Sequence, residues 1–191
     1  MMRYRKISGI VVIIVSIMCG WSFSAAAEVG FGIRGGMLIP DQAPFKDEFD
    51  SDVMFGGILE LDSNMGIVLE ATVDYYKQKS DNSKLGGDIS IIPVIFSAKY
   101  NFLPRYRTTP FVGVGIGTFF FDRDYKDGSN ESATRFGVRV SGGLRFFEDR
   151  RLNLVIEGAR NFVDFDNDNA SSFQVTMGII FDLTPTVIGT P

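Results

Sequence analysis

Residues 110–147 constrain the fold most. The stretch Pro110-Phe111-Val112-Gly113-Val114-Gly115-Ile116-Gly117-Thr118-Phe119-Phe120 alternates between two kinds of residue. Val112, Val114, Ile116, Thr118 and Phe120 take one set of positions, and Gly113, Gly115 and Gly117 take the other. After a polar interval, Phe136, Val138, Val140, Leu144 and Phe146 alternate with Arg135, Gly137, Arg139, Ser141, Gly143 and Arg145. A period of two is the period of a β-strand, whose side chains point to opposite faces in turn. A helix would lose roughly 1 kcal/mol at each of the repeated glycines. Each strand runs for about 12 residues, against about 5–6 in ordinary globular proteins. At about 3.3 Å per residue that is ~40 Å. Tilted by ~40°, it covers ~30 Å, more than the ~25 Å apolar band of a membrane barrel.

The same pattern recurs along the chain. Further strands are expected at 29–39, 53–61, 66–77, 88–102, 152–162 and 172–183, with the pair above as the fifth and sixth. In the fourth, Ile89, Ile91 and Ile92 break the alternation beside Pro93, which predicts a bulge there. Connections 40–52, 78–87, 122–131 and 163–171 are long and polar. Those at 62–65 and 147–151 are short, and 103–109 is intermediate. Long loops on one side and short turns on the other, with an even strand count, are the layout of an outer-membrane barrel. The expected fold is all-β: an eight-stranded antiparallel up-and-down transmembrane β-barrel.

Alternation alone does not say which face points outward, since a soluble ligand-carrying barrel turns its apolar face inward. Three features favour the membrane arrangement. The polar face is rich in glycine, which suits a narrow interior. Aromatic residues cluster at both ends of the apolar face: Phe55, Tyr75, Phe120, Phe136, Phe162 and Phe173 towards the loops, and Phe31, Tyr100, Phe102, Phe111, Phe146 and Phe181 towards the turns. Such double girdles mark membrane interfaces. The third feature is the asymmetry of the connections.

With its glycine-alternating run 110–117 preceded by 93–102, the sequence resembles the small outer-membrane β-barrel family that includes the OmpA barrel, OmpX, OmpW and Opa-like porin-family proteins. The resemblance extends over the whole chain after its N-terminal segment. It implies insertion by the barrel-assembly machinery, with Phe181 as the aromatic of the terminal signal. The chain departs from the family pattern in continuing past Leu183 to Pro191. Residues 184–191 are too few for the peptidoglycan-binding domain that accompanies the OmpA barrel.

The N-terminus reads as a cleaved secretion signal over residues 1–27. Arg3, Arg5 and Lys6 precede an apolar core, and Ala25-Ala26-Ala27 supplies small residues at the cleavage site. The barrel is then 28–183, and 184–191 is a short periplasmic tail. Removing the signal lowers Lys+Arg from 19 to 16 against 23 acidic residues, a net charge of −7. An acidic chain without a basic tail is a poor nucleic-acid binder. The expected location is the outer membrane of a Gram-negative bacterium, among its lipid and lipopolysaccharide, with the loops as the surface an extracellular partner would meet.

The inward face gathers Arg34, Lys99, Arg135, Arg139 and Arg145 with Glu60, Glu70, Asp74 and Glu157. Two roles suit this set: an ion path or gate, or a paired network that fills the lumen. An eight-stranded interior is just wide enough for side chains to fill, and unpaired buried charges are costly. Arg139 is the expected centre, with Glu70 and Glu157 as candidate partners, and free space is expected beside the glycines. No catalytic site, cofactor or metal site is expected. The sequence has no histidine, and its single cysteine, Cys19, lies in the signal. Serine–histidine and cysteine–histidine systems are therefore missing. Asp164, Asp166 and Asp168 resemble the start of a calcium loop, but Asn169 and Val175 stand where the glycine and closing glutamate are needed. The expected function is a structural or surface-interaction barrel with a filled lumen. The alternative, implied by the OmpW resemblance, is a narrow conduit for small or hydrophobic solutes.

Overall fold

The computed structural model describes residues 28–40, 52–63, 65–79, 87–104, 106–125, 130–149, 152–165 and 168–183. Residues 1–27 and 184–191, expected to be a signal segment and a tail, lie outside them, as do 41–51 and 80–86. Eight strands form: β1 (Glu28–Pro40), β2 (Asp52–Asp62), β3 (Ile67–Lys79), β4 (Gly87–Asn101), β5 (Thr108–Tyr125), β6 (Asn130–Asp149), β7 (Leu152–Phe165) and β8 (Asp168–Asp182). Each pairs antiparallel with the next, and β8 pairs with β1 to close the barrel. The register is staggered. A path of paired residues from Gly30 runs through Glu60, Glu70, Ser97, Gly115, Arg139, Asn161 and Ser172 to Pro40, ten residues along β1 from its start. For eight strands, that offset gives a tilt of about 40°.

The outward face is apolar and bare. Ile33 is 68% exposed, Val114 61% and Phe136 60%. Water would not tolerate so continuous an apolar surface, whereas lipid does. Rings gather at its two ends. Near the turns, Phe31 stacks on Phe181 at 5.7 Å and Tyr100 meets Phe102 edge-on at 5.4 Å. Near the loops, Phe55 and Tyr75 lie 5.4 Å apart. The first turn needs Gly66, whose φ is +92°. Its carbonyl accepts a bond of 2.7 Å from the Asn101 N–H, which ties the first turn to the second.

Four expectations change. β4 carries no bulge, because its pairing with β5 runs without interruption from Gly87↔Tyr125 to Asn101↔Phe111. The alternation looked broken because Ile89 and Ile91 point into the lumen, where an apolar layer receives them. Phe111 is not part of the turn-end girdle. It is 3% exposed and shares the inward parity of Gly113, Gly115 and Gly117. The intervals 122–131 and 163–171 are largely strand, with Asp124 paired to Asn130 and Phe165 to Asp168. Beyond the membrane both strand faces can be polar, so the chain stays paired without an apolar period. Finally, the inward glycines do not border free space. A Cβ on Gly137 would meet the Phe119 ring, and one on Gly143 the Phe111 ring. One on Gly113 would meet Lys99 and Ser141.

Candidate functional site: the charged lumen

The lumen is layered. Towards the loops, Leu38, Met54, Tyr76, Ile89, Ile91, Ile95, Phe119, Phe121 and Val163 form an apolar cluster. Towards the turns, Ile58, Phe111, Val155 and Ile180 form a second. Charged groups occupy the space between and below these clusters. Among the described residues, the buried charges are four cations, Arg34, Lys99, Arg139 and Arg145, and four carboxylates, Glu60, Glu70, Asp74 and Glu157. The lumen's formal charge is thus balanced at this level.

Alternation on each strand points these side chains inward, and the stagger decides who meets whom. Arg34 on β1 donates from Nε to Asp74 Oδ1 on β3 at 2.7 Å, and from Nη2 to Oδ2. Lys99 on β4 donates to Glu70 at 2.7 Å and also to Glu157 of β7. Its ammonium lies 4.9 Å from the Phe111 ring centroid. Arg145 on β6 grips Glu60 on β2 through two bonds of 2.7 Å. Arg139, 1% exposed, donates to Asn161 at 2.9 Å and to Gln174 at 2.5 Å. Its ion-pair contacts are longer, 3.8 Å to Asp74 and 3.9 Å to Glu157.

Glu157 is the hub, since Lys99, Arg34 and Arg139 all lie within ion-pair reach of it. Of the two partners expected for Arg139, Glu157 is at hand, while Glu70 is held by Lys99. Arg135 shares the inward register but sits nearer the loops, paired with Phe119 of β5 and only half-buried. Reading the sequence for charge alone missed the amides Asn161 and Gln174, and the bond of 2.8 Å from Asn153 to Asp182 at the turn end. Inward parity was the signal that could have found all of them. It also missed Arg160, which points outward.

Among the described residues, no group of His, Cys, Asp and Glu is arranged to hold a metal ion. Asp164 and Asp168 belong to the paired strands β7 and β8 and not to a ligand loop, and Asp166 lies outside the described residues. The arrangement can lock opposite walls together.

Residues 10–181 match the family described as outer membrane protein beta-barrel domain. No curated protein matches the chain in sequence. Solved structures share the fold at low identity. Neisserial surface protein A is 16% identical with a TM-score of 0.56, covering 82% of this chain and 97% of its own. OprG from Pseudomonas aeruginosa is 14% identical with a TM-score of 0.53, covering 80% and 93%. A major outer membrane protein from Thermus thermophilus is 11% identical with a TM-score of 0.57, covering 82% and 99%.

Proposed function

Because the chain belongs to the outer membrane protein β-barrel domain family, we propose that it is a structural and surface-interaction barrel whose lumen is closed by its own side chains and whose loop end meets partners outside the cell. The observation that carries this reading is the balanced set of four buried cations and four buried carboxylates, capped by the apolar cluster towards the loops. Eight strands leave an interior that side chains can fill, whereas aqueous porin channels need about 16–18. A signal peptide at 1–27 and insertion by the barrel-assembly machinery belong to the same reading.

A second reading, a narrow conduit for small or hydrophobic solutes, has one observation behind it. The β3–β4 pairing passes from Val73↔Val94 to Tyr76↔Ile91 and omits Asp74 and Tyr75 opposite Pro93 and Ile92. Proline has no N–H to give the ladder. The weak seam lies beside the apolar part of the lumen. Conductance of the purified protein in planar bilayers, with solute uptake in cells, separates the two readings. The closed barrel gives no steady current, and Arg139→Ala, which removes two donors to Asn161 and Gln174, raises leakage. A large steady wild-type conductance would overturn the closed-lumen reading.

A further inference from the structure

Among the described residues, four carboxylates gather around one arginine at the turn end of the lumen. Glu28 of β1, Glu60 and Asp62 of β2 and Asp182 of β8 share the inward parity of their strands. The arginine is Arg145 of β6, whose guanidinium gives two bonds of 2.7 Å to Glu60. From β7, Asn153 donates to Asp182 Oδ2 at 2.8 Å. The inward residues at the turn ends of β3, β4 and β5 are Val68, Asn101 and Thr109, which carry no charge. The next inward pair above them, Glu70 and Lys99, is joined to itself.

Asp182 and Glu60 come together over one glycine. Gly30 pairs with Glu60 on one side and with Asp182 on the other. A Cβ on Gly30 would meet Glu60 Cγ at 3.0 Å and Asp182 Oδ1 at 3.2 Å. The two acidic side chains thus lean over the same bare backbone from opposite neighbours. Like charges so placed oppose each other more strongly as water is excluded. Glu60 is buried and gripped by Arg145. Asp182 follows the belt residue Phe181, so it lies at the rim, half-buried. That partial burial, and next the charge of Glu60, raise the Asp182 carboxyl from its usual range to about 6. Glu28 acts in the same direction, while Asn153 and Arg145 oppose it.

Their position gives these two groups leverage on the fold. Gly30↔Asp182 is the last pair of β1 with β8 at the turn end, and the Leu183 N–H bond to the Val29 carbonyl lies just beyond it. Repulsion over Gly30 therefore acts where the barrel closes. We propose that Asp182 is an acid-sensitive latch on the closing seam: in mild acid it takes up a proton, its repulsion with Glu60 ends, and the turn end of β8 sits more firmly on β1. The direction follows from linkage. A carboxyl that holds its proton more tightly in the folded chain than in the unfolded one adds stability as pH falls. The gain begins near pH 6 and is complete below the ordinary aspartate value of about 3.9. A protonated Asp182 still has an oxygen to accept the Asn153 bond.

The test uses the full chain in dodecyl maltoside micelles. In the carbon-13 spectrum of the wild type, the Asp182 carboxyl should titrate with a midpoint near pH 6. A midpoint in the ordinary range, about 4, would overturn the proposal. Asp182→Asn removes the charge and keeps the acceptor. At pH 8 this variant should unfold at a higher urea concentration than wild type, and at pH 5 the gap should narrow. Comparing the two chains at each pH cancels the titration of the other carboxylates. Amide exchange gives a local readout. Between pH 8 and pH 5, corrected for the intrinsic rate, the Leu183 amide of the wild type should gain up to about tenfold in protection. Asp182→Asn should show no such gain. A variant less stable than wild type at pH 8 would make the Asp182 charge a structural partner, and a gap independent of pH would remove the titration; either result sinks the latch. None of these readouts depends on whether the lumen conducts.

Discussion

Arg145 and Glu60 bridge the lumen from strands that face each other across the barrel, β6 and β2, through two parallel bonds of 2.7 Å. With eight strands in the ring, these two stand half a circumference apart, and the pair works as a strut. Removing one partner of a buried ion pair strands the other charge. Glu60→Gln should therefore cost about 3–5 kcal/mol of unfolding free energy. Replacing both, as Glu60→Leu with Arg145→Met, should recover most of it, since apolar residues of similar volume often substitute for buried pairs without loss. Urea unfolding in vesicles, followed by tryptophan-independent circular dichroism, measures both variants.

Gly137 offers a test of how full the interior is. The Phe119 ring lies where its Cβ would be. Gly137→Ala should cost about 1–3 kcal/mol, the usual price of overpacking. Adding Phe119→Leu should return part of that loss. An additive double mutant in the same unfolding assay would mean that the ring and the glycine are not in contact.

The outward face yields a depth-graded prediction. Val114 lies midway between the belts and is 61% exposed, so Val114→Arg should destabilise the barrel by about 2–4 kcal/mol. Val138 pairs with the belt residue Phe162, nearer the interface, and Val138→Arg should cost about 0–1 kcal/mol. Equal unfolding midpoints for Val114→Arg and wild type would invert the assignment of faces.

Protease added to intact cells should cut within 41–51 or 80–86, the polar intervals that join β1 to β2 and β3 to β4. The hairpins joining β5 to β6 and β7 to β8 should resist, because pairing continues to Asp124↔Asn130 and Phe165↔Asp168 and exposed, unpaired tips are the preferred nicking sites. Mass spectrometry of the fragments locates the cuts. A cut at 103–107 in intact cells would place the turns outside and reverse the orientation.

The alternation of Val112 to Phe120 and of Phe136 to Phe146 was enough to read strands, faces and a barrel, because one apolar and one small or polar face is imposed by lipid on one side and a narrow lumen on the other. Phe111 was misplaced because its aromatic character was weighed above its parity with Gly113. The hairpin arms beyond the membrane left no trace, since neither of their faces is required to be apolar. The partners across the lumen were the least legible. Arg145 meets Glu60 four strands away through the curvature and stagger of the closed ring, a property that no single strand carries.

The distance in sequence between the interior partners bears on how the barrel is made. Arg145 and Glu60 are 85 residues apart, and Lys99 and Glu157 are 58 apart. Wall hydrogen bonds can accumulate one hairpin at a time, but these pairs need the curvature of a finished ring. Until β8 docks on β1, where the Leu183 N–H donates to the Val29 carbonyl at 2.8 Å, Arg145 and Glu60 have no opposite wall across which to meet, whereas Lys99 and Glu70 already pair on the neighbouring strands β4 and β3. An incomplete sheet therefore leaves the pairs between distant strands unmade, and closure is what completes them. The interior thus acts as a checkpoint on completion: closure is what makes the chain compatible with the lipid around it.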